Sequence, residues 1–277
     1  MITIERVSDF SKLSDGNAVL GTIPVLNNSK IRFSGKNNIL YCESGVRLSN
    51  SFLDFNGSNS LIYLGSNRHD YLLHVFINND QVFHMGKDNY INGKLTAVLS
   101  EQKHVFIGSC CLFSTEIVFR NADPHLIYDI DTKKRINLSK SIFVGDHVWI
   151  GQRSMLLKGT QIDSGSIIGA MSVVSGKKIP HNSSWAGNPV RQIKSGVFWD
   201  GDCVHTWMQN HTDISMNWDD YKDNKKKVND WIYHYDIDHS ISFDDLDSQI
   251  SECRNSQDKL KFFLNLKDTF DQFAHMQ

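Results

Sequence analysis

The residue best suited to proton transfer in this chain is His125, which closes the run Asn121-Ala-Asp-Pro-His125. A neutral imidazole, with an ordinary pKa of about 6.5, can take a proton from a hydroxyl at neutral pH. Asp123 stands two residues earlier, where a carboxylate could orient such a ring or hold a proton. The cations Lys133, Lys134 and Arg135 follow, with Arg120 upstream; they could meet an anionic partner or solvate a loop. His147 either faces the same groove as His125 or is a solvated strand histidine. A zinc centre would need about three converging histidines. His125 and His147 are at hand, but no third falls at a matching spacing, so no metal is expected.

These residues must be held by something, and a period of six supplies it. Val144, Ile150, Leu156, Ile162, Ile168 and Val174 follow one another at six-residue steps, and all are aliphatic. Two residues before each stand Ile142, Val148, Ser154, Thr160, Ser166 and Ser172, which are small or β-branched. Short strands joined by tight corners, three to a coil of about 18 residues, would bury every aliphatic position and stack coil on coil. The fold class is therefore all-β, a parallel β-helix. Upstream the rhythm loosens. Cys42, Leu64, Met85 and Ile107 recur at intervals of 22, 21 and 22 residues, as coils with small corner insertions, and Ile107, Phe113 and Phe119 resume the step of six. The rhythm stops after His125 and returns near residue 142, so the polar segment 126–141 should loop out, leaving the histidine at the rim of a groove. Loops on rigid scaffolds often carry function.

The segment Val144-Gly-Asp-His-Val-Trp-Ile-Gly151 resembles the IG-x-x-VWIG signature of hexapeptide-repeat acetyltransferases, and Ala186-Gly-Asn-Pro-Val-Arg191 resembles their AG-x-P-x-R terminator. The run ending in His125 is similar to the stretch that holds their catalytic histidine. The spacing from His125 to Trp149 matches the galactoside and maltose acetyltransferases. Around residues 107–128 and Arg135-Ile-Asn137 the likeness is to polysialic acid O-acetyltransferases of bacterial capsules. The resemblance is strong over about residues 105–195. It implies a left-handed β-helix, a homotrimer with sites between adjacent prisms, and acetyl-CoA as co-substrate. It implies His125 as general base toward a sugar hydroxyl of a capsular or related surface glycan, with Trp149 at the reacting centre. There the indole N–H could donate to the thioester or to developing oxyanion charge. It places Gln152 and Ala170 beside the pantetheine arm, Ser175 and Lys177 near its far end, and Arg191 and Lys194 at the nucleotide phosphates. Ser175-Gly-Lys-Lys178 leaves two lysines competing for the Lys177 role.

The rest of the chain bounds this reading. A net charge of −2 gives no global basic field, so nucleic-acid binding gains no support from charge. The amino terminus lacks a secretory pattern, and no apolar stretch approaches the roughly 18 residues that span a bilayer. Cys42, Cys110, Cys111, Cys203 and Cys253 form no CxxC pair, which fits reduced thiols in the cytoplasm. The β-helix is expected over 1–196. A mostly helical extension is expected over 197–277, with Trp199, Trp207, Trp218 and Trp231 as packing aromatics. An amphipathic helix is expected over about 256–274, carrying Leu260, Phe263, Leu264, Phe270 and Phe273. Two other functions fit the same residues: acetylation of an amino group on a nucleotide sugar, and a non-catalytic glycan-binding module.

Overall fold

The computed structural model describes residues 1–225 and 241–270; Trp231 and Phe273 lie outside the described residues. The chain winds as a parallel β-solenoid with three faces. Face A stacks eight strands, among them Lys30–Phe33, Leu73–Ile77, Ile117–Arg120, Met155–Leu157 and Val173–Val174. Face B also stacks eight, among them Ile39–Cys42, Val82–Met85, Val105–Ile107, Ile142–Val144, Gln161–Ile162 and Lys178–Ile179. Face C has six, including Tyr90–Ile91, Leu112–Phe113, Trp149–Ile150, Ile167–Ile168 and Ser183–Ala186. The chain visits them in the order B, C, A, so each coil has a B–C, a C–A and an A–B edge.

The register reproduces the sequence rhythm. Val144 pairs with Ile162, Ile150 with Ile168 and Leu156 with Val174. All six side chains are fully buried, as are Ile107, Phe113 and Phe119. Cys42, Leu64, Met85 and Ile107 stack directly above one another on face B. The small residues close the edges: Ser154 Oγ donates to Gly169 O at 3.0 Å, Thr160 Oγ1 to Val174 O at 3.0 Å, and Ser166 Oγ to Pro180 O at 2.8 Å. A buried carbonyl left without such a donor costs about 1–3 kcal/mol, so these positions favour a short hydroxyl side chain.

Between Arg120 and Ile142 the chain forms no strand, only an isolated bridge from Tyr128 to Arg135. This excursion leaves from the A–B edge. Each end of the stack is reversed: Ile2–Ile4 runs antiparallel to Lys30–Phe33 on face A, and Arg191–Ser195 antiparallel to Ser183–Ala186 on face C.

Face B carries a second layer. Its outward side chains form a ring ladder, Tyr41 over Tyr63 at 4.8 Å, Tyr63 over His84 at 4.8 Å, and His84 over Phe106 at 4.3 Å. Two helices cover it. Helix Phe243–Glu252 is capped by Ser242, which accepts from Asp245 N at 3.1 Å, and it buries Leu246 and Ile250. Its Phe243 stacks on Phe143 at 5.3 Å. Helix Ser256–Phe270 buries Leu260 and Phe263, the latter stacked 4.8 Å from His84. Lys259 is buried too, donating to Asn59 O at 2.8 Å. Trp207 and Trp218 pack with Tyr221, and Trp218 meets Phe198 edge-on at 5.1 Å.

Candidate active site

The excursion that carries His125 is pinned by a buried amide, Asn137. Its Nδ2 donates to the carbonyl of His125 at 2.8 Å and to Asp123 Oδ2 at 3.0 Å. Its Oδ1 accepts from Ile127 N at 3.0 Å and from Arg135 Nε at 3.1 Å. Arg135 then grips Glu101 with both terminal nitrogens, at 2.7 and 2.9 Å, which ties the loop to the coil above. Below, Lys158 Nζ reaches Asp123 Oδ2 at 2.5 Å and the Asn137 carbonyl at 3.2 Å. The Lys158 ammonium and the Asn137 amide hold the Asp123 carboxyl below the ordinary carboxylate range. Asp123 therefore braces the loop through Oδ2, which takes both Lys158 and Asn137. The His125 side chain itself is exposed.

Trp149 projects from face C, 39% exposed, in register between Leu112 and Ile167. His147, expected at the groove or in solvent, is at neither. It is buried on the B–C edge, its ring stacked on Trp199 at 4.0 Å with an interplanar angle of 5°. Loss of solvent pushes its imidazole down to about 4, so it stays neutral at physiological pH.

Gln152, Ala170 and Arg191 share the C–A edge. Met171 N bonds Gln152 O at 2.8 Å, which sets Ala170 one coil below Gln152, and Arg191 pairs with Ala186 in the strand that follows. The backbone comes close here. A Cβ on Gly151 would lie 2.5 Å from Ala170 N, and one on Gly169 would lie 2.8 Å from Ala186 Cβ. The coils therefore stack at this edge through glycines whose places a side chain could not take, with Trp149 on the adjoining face C. Lys194 pairs with Ser184 at the other end of the terminal hairpin. Ser175 and Lys177 lie instead on the A–B edge. There Gly176 N bonds Lys158 O at 3.1 Å, so these residues continue the column below the His125 loop. Both lysines are exposed; Lys178 lies on face B and is tied at 2.8 Å to Asp244 of helix Phe243–Glu252, whereas Lys177 sits on the corner itself.

The expected site residues thus fall into two groups with face A between them. His125, Ser175 and Lys177 occupy one edge; Trp149, Gln152, Ala170 and Arg191 occupy the other side. Sequence reasoning missed Lys158 and Glu101. It met Asn137 only as part of a resembling segment, and Arg135 there and as a loop cation, without their anchoring role. Among the described residues no cluster of three or more histidine, cysteine or acidic side chains could hold a metal ion, and no helix is long and apolar enough to cross a membrane.

Residues 141–176 match the bacterial transferase hexapeptide family, described as six repeats, and the chain carries a hexapeptide-repeat domain of that type. Among known proteins it is similar to the polysialic acid O-acetyltransferase of Escherichia coli O1:K1 / APEC, 32% identical over 37% of this chain and 33% of that protein. The match therefore spans about a third of that relative's length. It is also similar to the polysialic acid O-acetyltransferase of Neisseria meningitidis, 25% identical over 72% of this chain and 91% of that one. Among solved structures, the polySia specific acetyltransferase NeuO superposes with a TM-score of 0.62 at 28% identity. That superposition covers 74% of this chain and 91% of the other.

Proposed function

We propose that this protein transfers an acetyl group from acetyl-CoA to a sugar hydroxyl of a bacterial capsular polysaccharide or related surface glycan. The similarity to the polysialic acid O-acetyltransferases, together with the braced His125 loop, supports this reading. The acceptor oxygen attacks the thioester carbonyl carbon as His125 takes its proton. The indole N–H of Trp149 donates to the oxyanion that forms. Collapse of that intermediate breaks the carbon–sulfur bond, and the imidazolium returns its proton to the departing thiolate.

The single observation that carries the assembly is the separation of the two residue groups by face A. One protomer cannot bring His125 to Trp149, whereas the A–B edge of one prism laid against the C–A edge of a neighbour joins them. A homotrimer accomplishes this three times over with one kind of contact. The exposed apolar side chains of the loop, Leu126, Ile127, Tyr128, Ile130, Ile136 and Leu138, suit burial against such a neighbour. In that arrangement the pantetheine arm follows Gln152 and Ala170. Arg191, Lys194 and the neighbour's Ser175 and Lys177 receive the nucleotide end. These residues act in the cytoplasm, where acetyl-CoA is made.

Thiol release from acetyl-CoA, followed with purified polysaccharides and NMR of the product, tests the reading. His125→Ala should lose roughly 10²–10⁴-fold in turnover with the trimer intact. Turnover near that of the unaltered protein would remove His125 as the base.

A further inference from the structure

We propose that Trp199, in the segment that follows the last solenoid strand, is a positioning residue that aims the Trp149 indole at the reacting centre. The inference rests on the reading of Trp149 given above. Trp149 opens a two-residue strand two residues after the corner residue His147, whose φ of 48° lies in the left-handed region. Trp199 and His147 grip each other twice. Trp199 Nε1 donates to the carbonyl of His147 at 3.0 Å, and His147 Nε2 donates to the carbonyl of Trp199 at 3.2 Å. A carbonyl can only accept, so the imidazole carries its proton on Nε2. The two rings lie flat on one another between these bonds. From that clamp the Trp199 ring reaches 6.0 Å from the Trp149 ring, tilted by 49°. The order of burial runs inward: Trp149 is open to solvent on one side, Trp199 and His147 almost wholly buried.

An indole standing alone on a sheet surface can turn about its side-chain torsions, and its single N–H then points nowhere in particular. A buried wall on one flank removes that freedom before substrate arrives, which is what a preorganised donor needs. The wall is itself anchored on both sides. Val197 N bonds Asn182 O at 2.9 Å and Asn182 Nδ2 bonds Val197 O at 3.2 Å, next to the terminal hairpin. Beyond Trp199, Asp200 is paired at 2.6 Å with Lys225, whose ammonium lies over the rings of Tyr221 and Trp218 at 4.6 and 5.4 Å. The extension beyond the solenoid therefore reaches Trp149 through Trp199.

The test compares Trp199→Ala, Trp199→Phe and Trp149→Ala in the full chain, with acetyl-CoA and an active polysaccharide. Trp199→Ala should lower kcat roughly 10- to 100-fold, the cost of a misaimed group, while KM for acetyl-CoA stays nearly fixed. Trp199→Phe, which keeps a flat wall, should recover most of the loss. In protein labelled with fluorotryptophan, the Trp149 resonance should broaden or shift in Trp199→Ala. A large loss in Trp149→Ala with normal kcat in Trp199→Ala would overturn the inference and leave the role of Trp149 standing. Full activity in both would remove Trp149 from the reacting centre altogether. If Trp199→Ala does not fold, Trp199→Leu, which fills the space without a flat ring, takes its place. An unmoved Trp149 resonance in whichever of these two variants folds also overturns the proposal.

Discussion

The side-chain amide of Asn137 donates to the main-chain carbonyl of His125 at 2.8 Å, so the loop's exit and return are joined beside the imidazole. Its other bonds, to Asp123, Ile127 and Arg135, join both sides of the loop's neck through one side chain. Asn137→Ala strands those groups at about 1–3 kcal/mol, a cost confined to the loop. The expected outcome is faster proteolysis between residues 126 and 136, a large fall in kcat and little change in melting temperature. A loop as resistant as before would mean that Arg135 and Lys158 hold it unaided.

The two lysines of the Ser175–Lys178 corner differ in position and partner. Both are exposed, but Lys178 is paired with Asp244 on face B, whereas Lys177 stands on the edge below the His125 loop. Lys177→Ala should raise KM for acetyl-CoA several-fold, increasingly so at low salt, where exposed charge acts furthest. Lys178→Ala should leave KM alone. The reverse pattern would reassign the phosphate contact.

Acid should weaken the fold before carboxylates titrate. Burial holds His84 and His147 down to about 4 and lowers His104 as well. The unfolded chain protonates the same residues near pH 6.5, as ordinary histidines do. Between about pH 6.5 and 4 the unfolded state therefore binds more protons, and stability falls as pH falls. Melting temperature measured from neutral pH downward should show this slope. His84→Phe preserves the ring ladder and removes one titrating group, so it should flatten the curve. A melting temperature constant between about pH 7 and 5 would contradict the assignment.

The solenoid was legible because its rule is local: an aliphatic residue every sixth position needs no knowledge of the partner coil. Cys42, Leu64, Met85 and Ile107 fell into register from their spacing alone, and the interrupted rhythm after His125 marked the loop. What stayed hidden depends on distant partners. His147 reads as a solvent-facing strand residue until Trp199, 52 positions later, folds over it. His84 and Lys259 look like surface residues in sequence, yet the covering helices bury Lys259 and stack Phe263 on His84. Asn137 differs from any loop asparagine only in what surrounds it. The separation of the His125 edge from the Gln152 edge was implicit in which third of a coil each residue occupies, but no motif states it.

The reversed strands Ile2–Ile4 and Arg191–Ser195 have a consequence for how molecules can gather. A winding of parallel strands that simply stopped would offer its last rung to the first rung of another copy, and the product would be a fibre without limit. Here the backbone turns against the direction of winding at the top of one face and at the bottom of another. Growth along the axis is refused there, and contact between copies is left to the flanks, where it can close into a finite ring.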